Sequence, residues 1–220
     1  MGAKKTVLNQ ENIVSMYMEY MLEHATMPKS VYEFAQKYHF EEAHFYQYFG
    51  AFESVERHIF KSILDKTVAL LHQNQEYHTY DFKTKLLSFY FTYIEMLTAN
   101  RSFVLMCLKN RSKKVSHFMI LGELRLAFKN YVSEIIDDKD LISIARAQKL
   151  QITAIKESLW AQFMFVIQFW LEDLSPAFEK TDVLIEKSVQ ASFEIMSIAP
   201  WEKVIDFGKF LFKEKVFSRV

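Results

Sequence analysis

The sequence contains only four Gly and three Pro in 220 residues, and this scarcity limits how many turns the chain can make. Average proteins carry roughly 7% Gly and 5% Pro, so we expect few loops and short ones. A β-sandwich or β-barrel needs a turn about every 8–12 residues, and this composition excludes both. Collagen-like and disordered chains are excluded as well, because 50% of the residues are hydrophobic.

Apolar residues recur at the three- and four-residue spacing of amphipathic helices along nearly the whole chain. This periodicity predicts an all-α fold of about nine or ten helices. Three short helices joined by tight turns are expected in residues 1–60, and longer helices after them, starting with one over 52–75. The change in helix length predicts a small N-terminal head, residues 1–52, followed by a larger helical body, residues 53–220.

Two short helices around a tight turn are predicted between residues 30 and 49. Ser30 and Glu33 have the spacing of a capping box, which starts the first of these helices. A turn at His39 precedes the second helix, which is expected over 41–48. In helix-turn-helix modules the second such helix enters the major groove of DNA.

This segment resembles the N-terminal domain of TetR-type transcription regulators. Phe34–Ala35 stand where that family has an Ile-Ala pair, and Phe40 stands where it has Val after the turn. Tyr46–Phe49 matches the family's Tyr-x-x-Phe motif at the end of the recognition helix. The other end of the chain is similar to a C-terminal domain of the same family over Phe169–Asp182 and Ile205–Leu211.

The resemblance implies a homodimer with two DNA-binding heads and a helical body that binds a ligand. Ligand binding would release operator DNA, so we expect a repressor. Side chains on the exposed face of the recognition helix would read phosphates and base edges, and the start of the preceding helix would bind a phosphate. The expected DNA contacts are Lys29, Ser30, His44, Tyr46, Gln47 and Tyr48. The alternative for Tyr46 and Gln47 is packing within a three-helix bundle, the role we expect for Phe45 and Phe49.

Aromatic and Met side chains of the body predict a pocket for a small, flat or flexible apolar ligand, since Met adapts its shape to its surroundings. The alternative for the same residues is a solid core, because aromatic stripes at helical spacing are common there. The candidate lining residues are Tyr90, Tyr93, Met96, Leu97, Phe103, Met106, Phe118, Met119, Phe128, Phe163, Met164 and Ile167.

By the same resemblance, the long helices predicted over 144–171 and 181–198 would form the dimer interface. Aromatic residues are enriched at interfaces, and the candidates on these helices are Trp160, Trp170, Phe178 and Phe193. Thr181 and Asp182 are predicted to cap the second helix. The 21 Phe and ten Met exceed what a compact monomer requires, which is an independent argument for dimerisation.

The charge distribution opposes DNA binding by the head. The net charge of the chain is zero, but residues 1–60 contain five Lys and Arg against eight Glu, a net charge of −3. Glu41 and Glu42 would repel phosphate at the start of the recognition helix. His39 replaces a Gly of the family and Phe52 replaces a Lys. The alternative function is therefore a TetR-like protein that binds an apolar small molecule, a lipid or a protein partner without DNA.

Catalytic motifs are absent from the sequence. It contains no His-Glu-x-x-His, no Gly-rich phosphate loop and no Gly-x-Ser-x-Gly, so we expect neither an enzyme nor a cofactor nor a bound metal. Asp137–Asp140 is expected to be a solvated joint. Cys107 is the single cysteine, which favours a reducing compartment. The most apolar run, 158–171, is too short to span a bilayer, so we expect a cytoplasmic protein without a membrane partner.

Overall fold

The computed structural model describes residues 8–109, 120–136 and 145–198. These residues form nine α-helices and two short 3-10 helices, and no strand occurs among them. The predicted all-α fold is therefore confirmed. The α-helices are α1 (Gln10–His24), α2 (Val31–Lys37), α3 (Glu42–Phe45), α4 (Phe52–Gln73), α5 (Phe82–Thr98), α6 (Arg101–Leu108), α7 (Gly122–Ile135), α8 (Ala145–Glu172) and α9 (Glu179–Ile198). The 3-10 helices are Gln75–Thr79 and Pro176–Phe178.

The described helices divide between two compact units. The first comprises the described residues of Met1–Thr67 and Glu95–Ala127, and the second those of Val68–Ile94 and Phe128–Val220. Helices α4, α5 and α7 each contribute residues to both units. The functional division into a head, residues 1–52, and a body stays a prediction. The predicted joint Asp137–Asp140 and the similarity over Ile205–Leu211 lie outside the described residues.

The capping signal at Ser30 determines where α2 begins. The Ser30 hydroxyl accepts a hydrogen bond from the Glu33 amide at 3.1 Å, as predicted. The Glu33 carboxylate, expected to reach back to the Ser30 amide, accepts instead from the Tyr20 hydroxyl at 3.2 Å. It therefore connects α2 to α1, and only half of the predicted capping box is used for capping.

Among the described residues, four adopt the left-handed backbone conformation, and none of these four is Gly. They are Ala25, His39, Ala177 and Phe178. At the end of α2, His39 has φ 58°. The Phe40 amide bonds to the Ala35 carbonyl at 3.0 Å and the His39 amide to the Gln36 carbonyl at 3.4 Å, the pattern of a Schellman motif. His39 thus adopts the strained conformation that its replacement of the family's Gly predicted.

The second helix of the predicted pair is shorter than expected. It was expected over 41–48, but α3 covers only Glu42–Phe45. Beyond Phe45 the backbone tightens, because the amides of Gln47 and Tyr48 bond to carbonyls three residues earlier, at 3.3 and 3.0 Å. Phe45 and Phe49 are both buried, with ring centroids 6.1 Å apart. The tight turn therefore allows two inward-facing rings before Gly50 without a longer helix.

Tyr17 lies at the centre of the first unit and is fully buried. Its ring lies against those of Phe34, Phe52 and Phe103, at centroid distances of 6.5, 5.4 and 6.3 Å. Its hydroxyl donates a 2.7 Å hydrogen bond to Oε1 of Glu56, a carboxyl group that is also fully buried. The Cys107 thiol lies 3.7 Å from the same oxygen. Hydrogen bonding of this kind is what allows a carboxyl group to remain inside a protein.

Asp173 organises the joint between α8 and α9 in the second unit. Its Oδ1 accepts from the amide and hydroxyl of Ser175, at 2.8 and 2.7 Å. Its Oδ2 accepts from the amide and hydroxyl of Thr181, at 3.0 and 2.7 Å. Thr181 is therefore a donor within the first turn of α9 and not its cap, which corrects the prediction that Thr181 and Asp182 begin this helix.

Burial alone would raise the pKa of Asp173, but the hydrogen bonds from Ser175 and Thr181 outweigh it and hold that pKa well below its usual range. We expect Asp173→Asn to lower the free energy of unfolding at pH 7, because an amide group replaces one acceptor by a donor. The stabilisation by the carboxylate is complete above about pH 4 and declines as the pH falls toward the folded-state pKa. Urea unfolding of wild type and variant from pH 7 to pH 2 measures this difference.

Asp182→Asn is the matched control, since Asp182 lies exposed in the first turn of α9 and its pKa is raised by desolvation, by Glu186 and by Asp173. It should not lower the free energy of unfolding at pH 7. Equal losses for Asp173→Asn and Asp182→Asn would contradict the role of Asp173 at the joint.

The left-handed conformation of His39 leads to a second prediction. We expect His39→Gly to raise the free energy of unfolding by about 1 kcal/mol, because Gly adopts this conformation without a steric penalty. The same substitution at His44, within α3, should lower it by about 1 kcal/mol. Denaturant unfolding of both variants measures the two values. A loss of stability at both positions would show that His39 is not strained.

Candidate functional site

The turn that follows α3 places three accessible side chains between two buried ones. Phe45 and Phe49 are buried, as expected for core positions. Between them Gln47 is exposed, and Tyr46 and Tyr48 retain 54% and 41% of their accessible surface. Large aromatic side chains seldom remain this exposed when they serve only for packing. The three accessible residues therefore form one candidate contact surface, which we call the reading turn (Tyr46–Tyr48).

Both tyrosine hydroxyls of the reading turn have partners in their own unit. The Tyr46 hydroxyl donates to Oε1 of Glu42 at 3.2 Å, and the Tyr48 hydroxyl donates to the Leu8 carbonyl at 3.2 Å. Desolvation and the neighbouring Glu42 raise the pKa of Tyr46, so this phenol stays protonated at neutral pH. A phosphate that accepts a hydrogen bond from the Tyr46 hydroxyl must therefore compete with the Glu42 carboxylate for this donor.

The other predicted DNA contacts lie at the helix ends. His44 is half-buried in α3, whereas Lys29 and Ser30 are exposed before α2. The Ser30 hydroxyl already accepts from the Glu33 amide, so its remaining capacity toward a phosphate is as a donor.

Two of the three Lys and Arg side chains that the structure describes within residues 8–60 lie beside carboxylates. Lys37 pairs with Glu23 at 2.6 Å, and Arg57 lies 3.6 Å from Glu123. Paired cations contribute less to the attraction of phosphate than free ones. The geometry therefore reinforces the acidic character that the sequence assigns to this segment.

Four predicted pocket residues come together in the second unit as part of an aromatic cluster. The cluster comprises Phe89, Tyr90, Tyr93, Phe128, Tyr131 and Phe163. The Phe163 ring lies nearly parallel to Phe128, at 4.6 Å, and to Tyr90, at 5.5 Å. Tyr93 meets Phe163 edge-on at 5.0 Å. These rings are buried and contact each other directly.

Phe89 and Tyr131 belong to the cluster but were missing from the predicted lining. Their rings are stacked at 4.5 Å, and Phe89 also lies 5.7 Å from Tyr93. The Tyr131 hydroxyl lies 2.7 Å from that of Tyr77 and donates to the Lys85 carbonyl at 3.1 Å. Helical spacing contained the signal for Phe89, which precedes Tyr93 by four residues. The same kind of spacing indicates Tyr131, which follows Phe128 by three residues on α7.

The remaining predicted pocket residues are dispersed. Ile167 is buried and Met164 half-buried in the second unit. Four described residues belong to the first unit: Met96, Leu97, Phe103 and Met106. Leu97 is buried there as well, and Phe103 packs against Tyr17. Phe118 and Met119 lie outside the described residues.

The predicted interface residues are partly used inside the second unit. Trp170 is fully buried and its ring lies 6.1 Å from that of Phe178. Phe193 is half-buried against Phe82, at 4.9 Å, and Trp160 is half-buried beside Phe163, at 5.9 Å.

The apolar side chains that α8 and α9 leave accessible are different ones. Phe165 is 56% exposed, and Val183 and Ile195 are exposed on α9. Phe165 follows buried Phe163 by two residues, which turns it to the opposite face of α8. The helical register of α8 is therefore the sequence signal that indicates the exposure of Phe165.

A surface groove of about 550 Å³ lies beside the Asp173 joint. Its lining is Phe169, Glu172, Asp173, Leu174, Ser175, Pro176, Glu179 and Lys180. This mixture of charged and apolar side chains contains none of the predicted site residues, and it differs from the aromatic cluster, whose members are all Phe or Tyr.

Within the described ranges, no group of three or more His, Cys, Asp or Glu side chains is placed to hold a metal ion. None of the helices in those ranges is both long enough and apolar enough for a bilayer crossing.

Comparison with known proteins identifies the C-terminal part of the chain. A family model described as tetracyclin repressor-like, C-terminal domain, matches residues 85–211. No curated protein matches the chain significantly. The match covers more than half of the 220 residues and includes the similarity noted over Phe169–Asp182. The chain therefore belongs to the TetR family through its C-terminal domain.

Proposed function

We propose that the protein is a ligand-responsive transcription regulator of the TetR type, a repressor that binds operator DNA as a homodimer and is released by a small apolar ligand. Membership of the TetR family supports regulation as its role. The observation that carries DNA binding is the reading turn, whose exposed Tyr46, Gln47 and Tyr48 follow two short helices joined at His39. Two helices in this arrangement are typical of DNA-reading modules.

Base reading in this proposal depends on Gln47. An amide side chain makes paired hydrogen bonds to adenine in the major groove, while hydroxyl and cationic groups hold the backbone. Tyr46, Tyr48 and Lys29 are suited to phosphate contacts, and His44 to a base edge. Because residues 1–60 carry a net charge of −3, affinity for DNA of arbitrary sequence should be weak, so binding would rely on base contacts.

The second candidate function is a TetR-like protein that binds an apolar molecule, a lipid or a protein partner without DNA. The hydrogen bond between Tyr46 and Glu42 favours it, because it places a carboxylate where a phosphate would approach. Both candidates share the ligand site, which we place at the aromatic cluster. Both are cytoplasmic and non-enzymatic in our proposal.

The reading turn leads to a direct test of DNA binding. We expect the protein to bind duplex DNA from its own promoter region in a saturable way, with affinity that falls when the salt concentration rises. Gln47→Ala should weaken this binding by about 1–3 kcal/mol, the value of a good base contact. Anisotropy of labelled DNA, titrated at two salt concentrations, measures both effects.

Gln73→Ala is the matched control, since Gln73 is an exposed residue at the end of α4. It should bind as the wild type does. Absence of saturable, salt-sensitive binding at micromolar protein would reject the regulator and favour the second candidate. Equal weakening by Gln47→Ala and Gln73→Ala would reject the role of the reading turn.

The exposed apolar residues of α8 and α9 supply a test of dimerisation. We expect the wild type to sediment as a particle of twice the chain mass, with Phe165 inside the interface. Phe165→Asp should shift it toward the monomer, because a buried, unpaired charge is costly at an interface. Sedimentation velocity at micromolar concentration measures the change, and circular dichroism checks that the variant remains helical.

Leu126→Asp is the control for this experiment, because Leu126 is similarly exposed on α7. The oligomeric state should be unchanged in this variant. A monomeric wild type would disprove the homodimer, and a dimeric Phe165→Asp variant would place the interface elsewhere.

A further inference from the structure

Two tyrosines of the aromatic cluster occupy similar positions but differ in their hydroxyl groups. Tyr90 and Tyr93 are both fully buried, both on α5 and both against Phe163. The Tyr90 hydroxyl donates to the Leu159 carbonyl at 3.3 Å. The Tyr93 hydroxyl has no hydrogen-bond partner in the part of the chain that the structure describes. One phenol of the pair is therefore satisfied by the protein and the other is not.

An unpaired hydroxyl at full burial is unusual, since nearly all buried polar groups in proteins have a partner. Phe at position 93 would keep the ring contacts with Phe89 and Phe163 and avoid the cost of desolvating a hydroxyl. Packing alone therefore does not explain Tyr at this position. The Tyr93 hydroxyl would be satisfied if an acceptor that is not among the described residues accepted a hydrogen bond from it.

The side chains around Tyr93 indicate what kind of molecule carries that acceptor. The rings of Tyr90, Phe128 and Phe163 lie within 11° of parallel, an arrangement that stacks with a flat ring. Burial raises the pKa of Tyr93 well above its usual range, so the phenol keeps its proton and acts as a donor. Its natural partner is an uncharged oxygen acceptor, because burying an anion among aromatic rings carries a large desolvation cost.

We propose that the Tyr93 hydroxyl donates a hydrogen bond to a carbonyl oxygen of a flat aromatic ligand held by the aromatic cluster. Stacking on the rings supplies affinity, and Tyr93 selects ligands that carry a carbonyl group over hydrocarbons of the same shape. Because the cluster rings contact each other, the ligand selects a less populated arrangement in which a ring has moved aside. This inference rests on the ligand-binding part of the proposed function.

The test compares two probes of nearly equal shape, 2-acetylnaphthalene and 2-ethylnaphthalene, by equilibrium dialysis against the full-length protein. We expect the wild type to bind the ketone about three- to tenfold more tightly than the hydrocarbon, the value of one hydrogen bond. Tyr93→Phe should abolish this preference and leave the affinity for 2-ethylnaphthalene unchanged. Tyr90→Phe is the matched control and should retain the preference, since the Tyr90 hydroxyl of the wild type already donates to the Leu159 carbonyl.

Unfolding in urea without either probe supplies a second, independent measurement. We expect Tyr93→Phe to be at least as stable as the wild type, whereas Tyr90→Phe should be less stable because it removes the hydrogen bond from the Tyr90 hydroxyl to the Leu159 carbonyl. Equal losses of stability would show that Tyr93 has a partner within the protein, which would overturn the proposal.

The two probes also separate this inference from the function on which it rests. Binding of both probes with equal affinity to the wild type would overturn the role of Tyr93 and leave an apolar ligand site in place. Binding of neither probe would overturn the ligand site at the cluster as well. DNA binding is measured separately and is not affected by either result.

Discussion

Four helices of the first unit meet at the ring of Tyr17. It lies on α1 and contacts Phe34 of α2 and Phe103 of α6, while its hydroxyl is bonded to Glu56 of α4. The aromatic contacts continue from Phe34 to Phe45, at 6.3 Å. The position of the reading turn therefore depends on a core that contains the deeply buried hydrogen bond between Tyr17 and Glu56. Such a contact is costly to rearrange, because both partners would lose their hydrogen bond inside the protein.

Helical periodicity predicted most of the fold because apolar spacing reflects burial directly. Predicted and observed helices agree for α4, α8 and α9 to within a few residues. It failed at α3, since a tight turn that buries Phe45 and Phe49 shows the same four-residue spacing as a helix. The difference lies in backbone hydrogen bonds three residues apart, and side-chain pattern does not distinguish these from the helical ones.

Side-chain partners were less predictable than helices. Ser30 and Glu33 are three residues apart, so a capping rule applied. By contrast, the Tyr48 hydroxyl bonds to Leu8 and that of Tyr77 lies beside that of Tyr131, 54 residues later. Contacts at such separations follow from tertiary packing, and no local rule predicts them. For the same reason the sequence indicated that the aromatic residues of the body would cluster, but not which hydroxyl would lack a partner.

Interface residues illustrate a related limit. Trp170 and Phe165 are both large apolar residues on α8, yet one is fully buried and the other exposed. Residue type alone favoured Trp170, since Trp is enriched at interfaces. Helical register separates the two, because Trp170 follows Phe163 by seven residues and shares its face, whereas Phe165 points away. On α8, the helical position relative to one buried residue therefore predicts exposure better than the residue type does.

The position of Trp160 has an optical consequence. Its indole is half-buried and lies 5.9 Å from both Phe128 and Phe163, at the edge of the aromatic cluster. Trp170, fully buried beside Phe178, samples a different environment in the same unit. Indole emission shifts in wavelength with the polarity around the ring, so Trp160 is a built-in reporter of any rearrangement at the cluster. The unmodified protein thus contains its own spectroscopic probe at the position where we place the ligand.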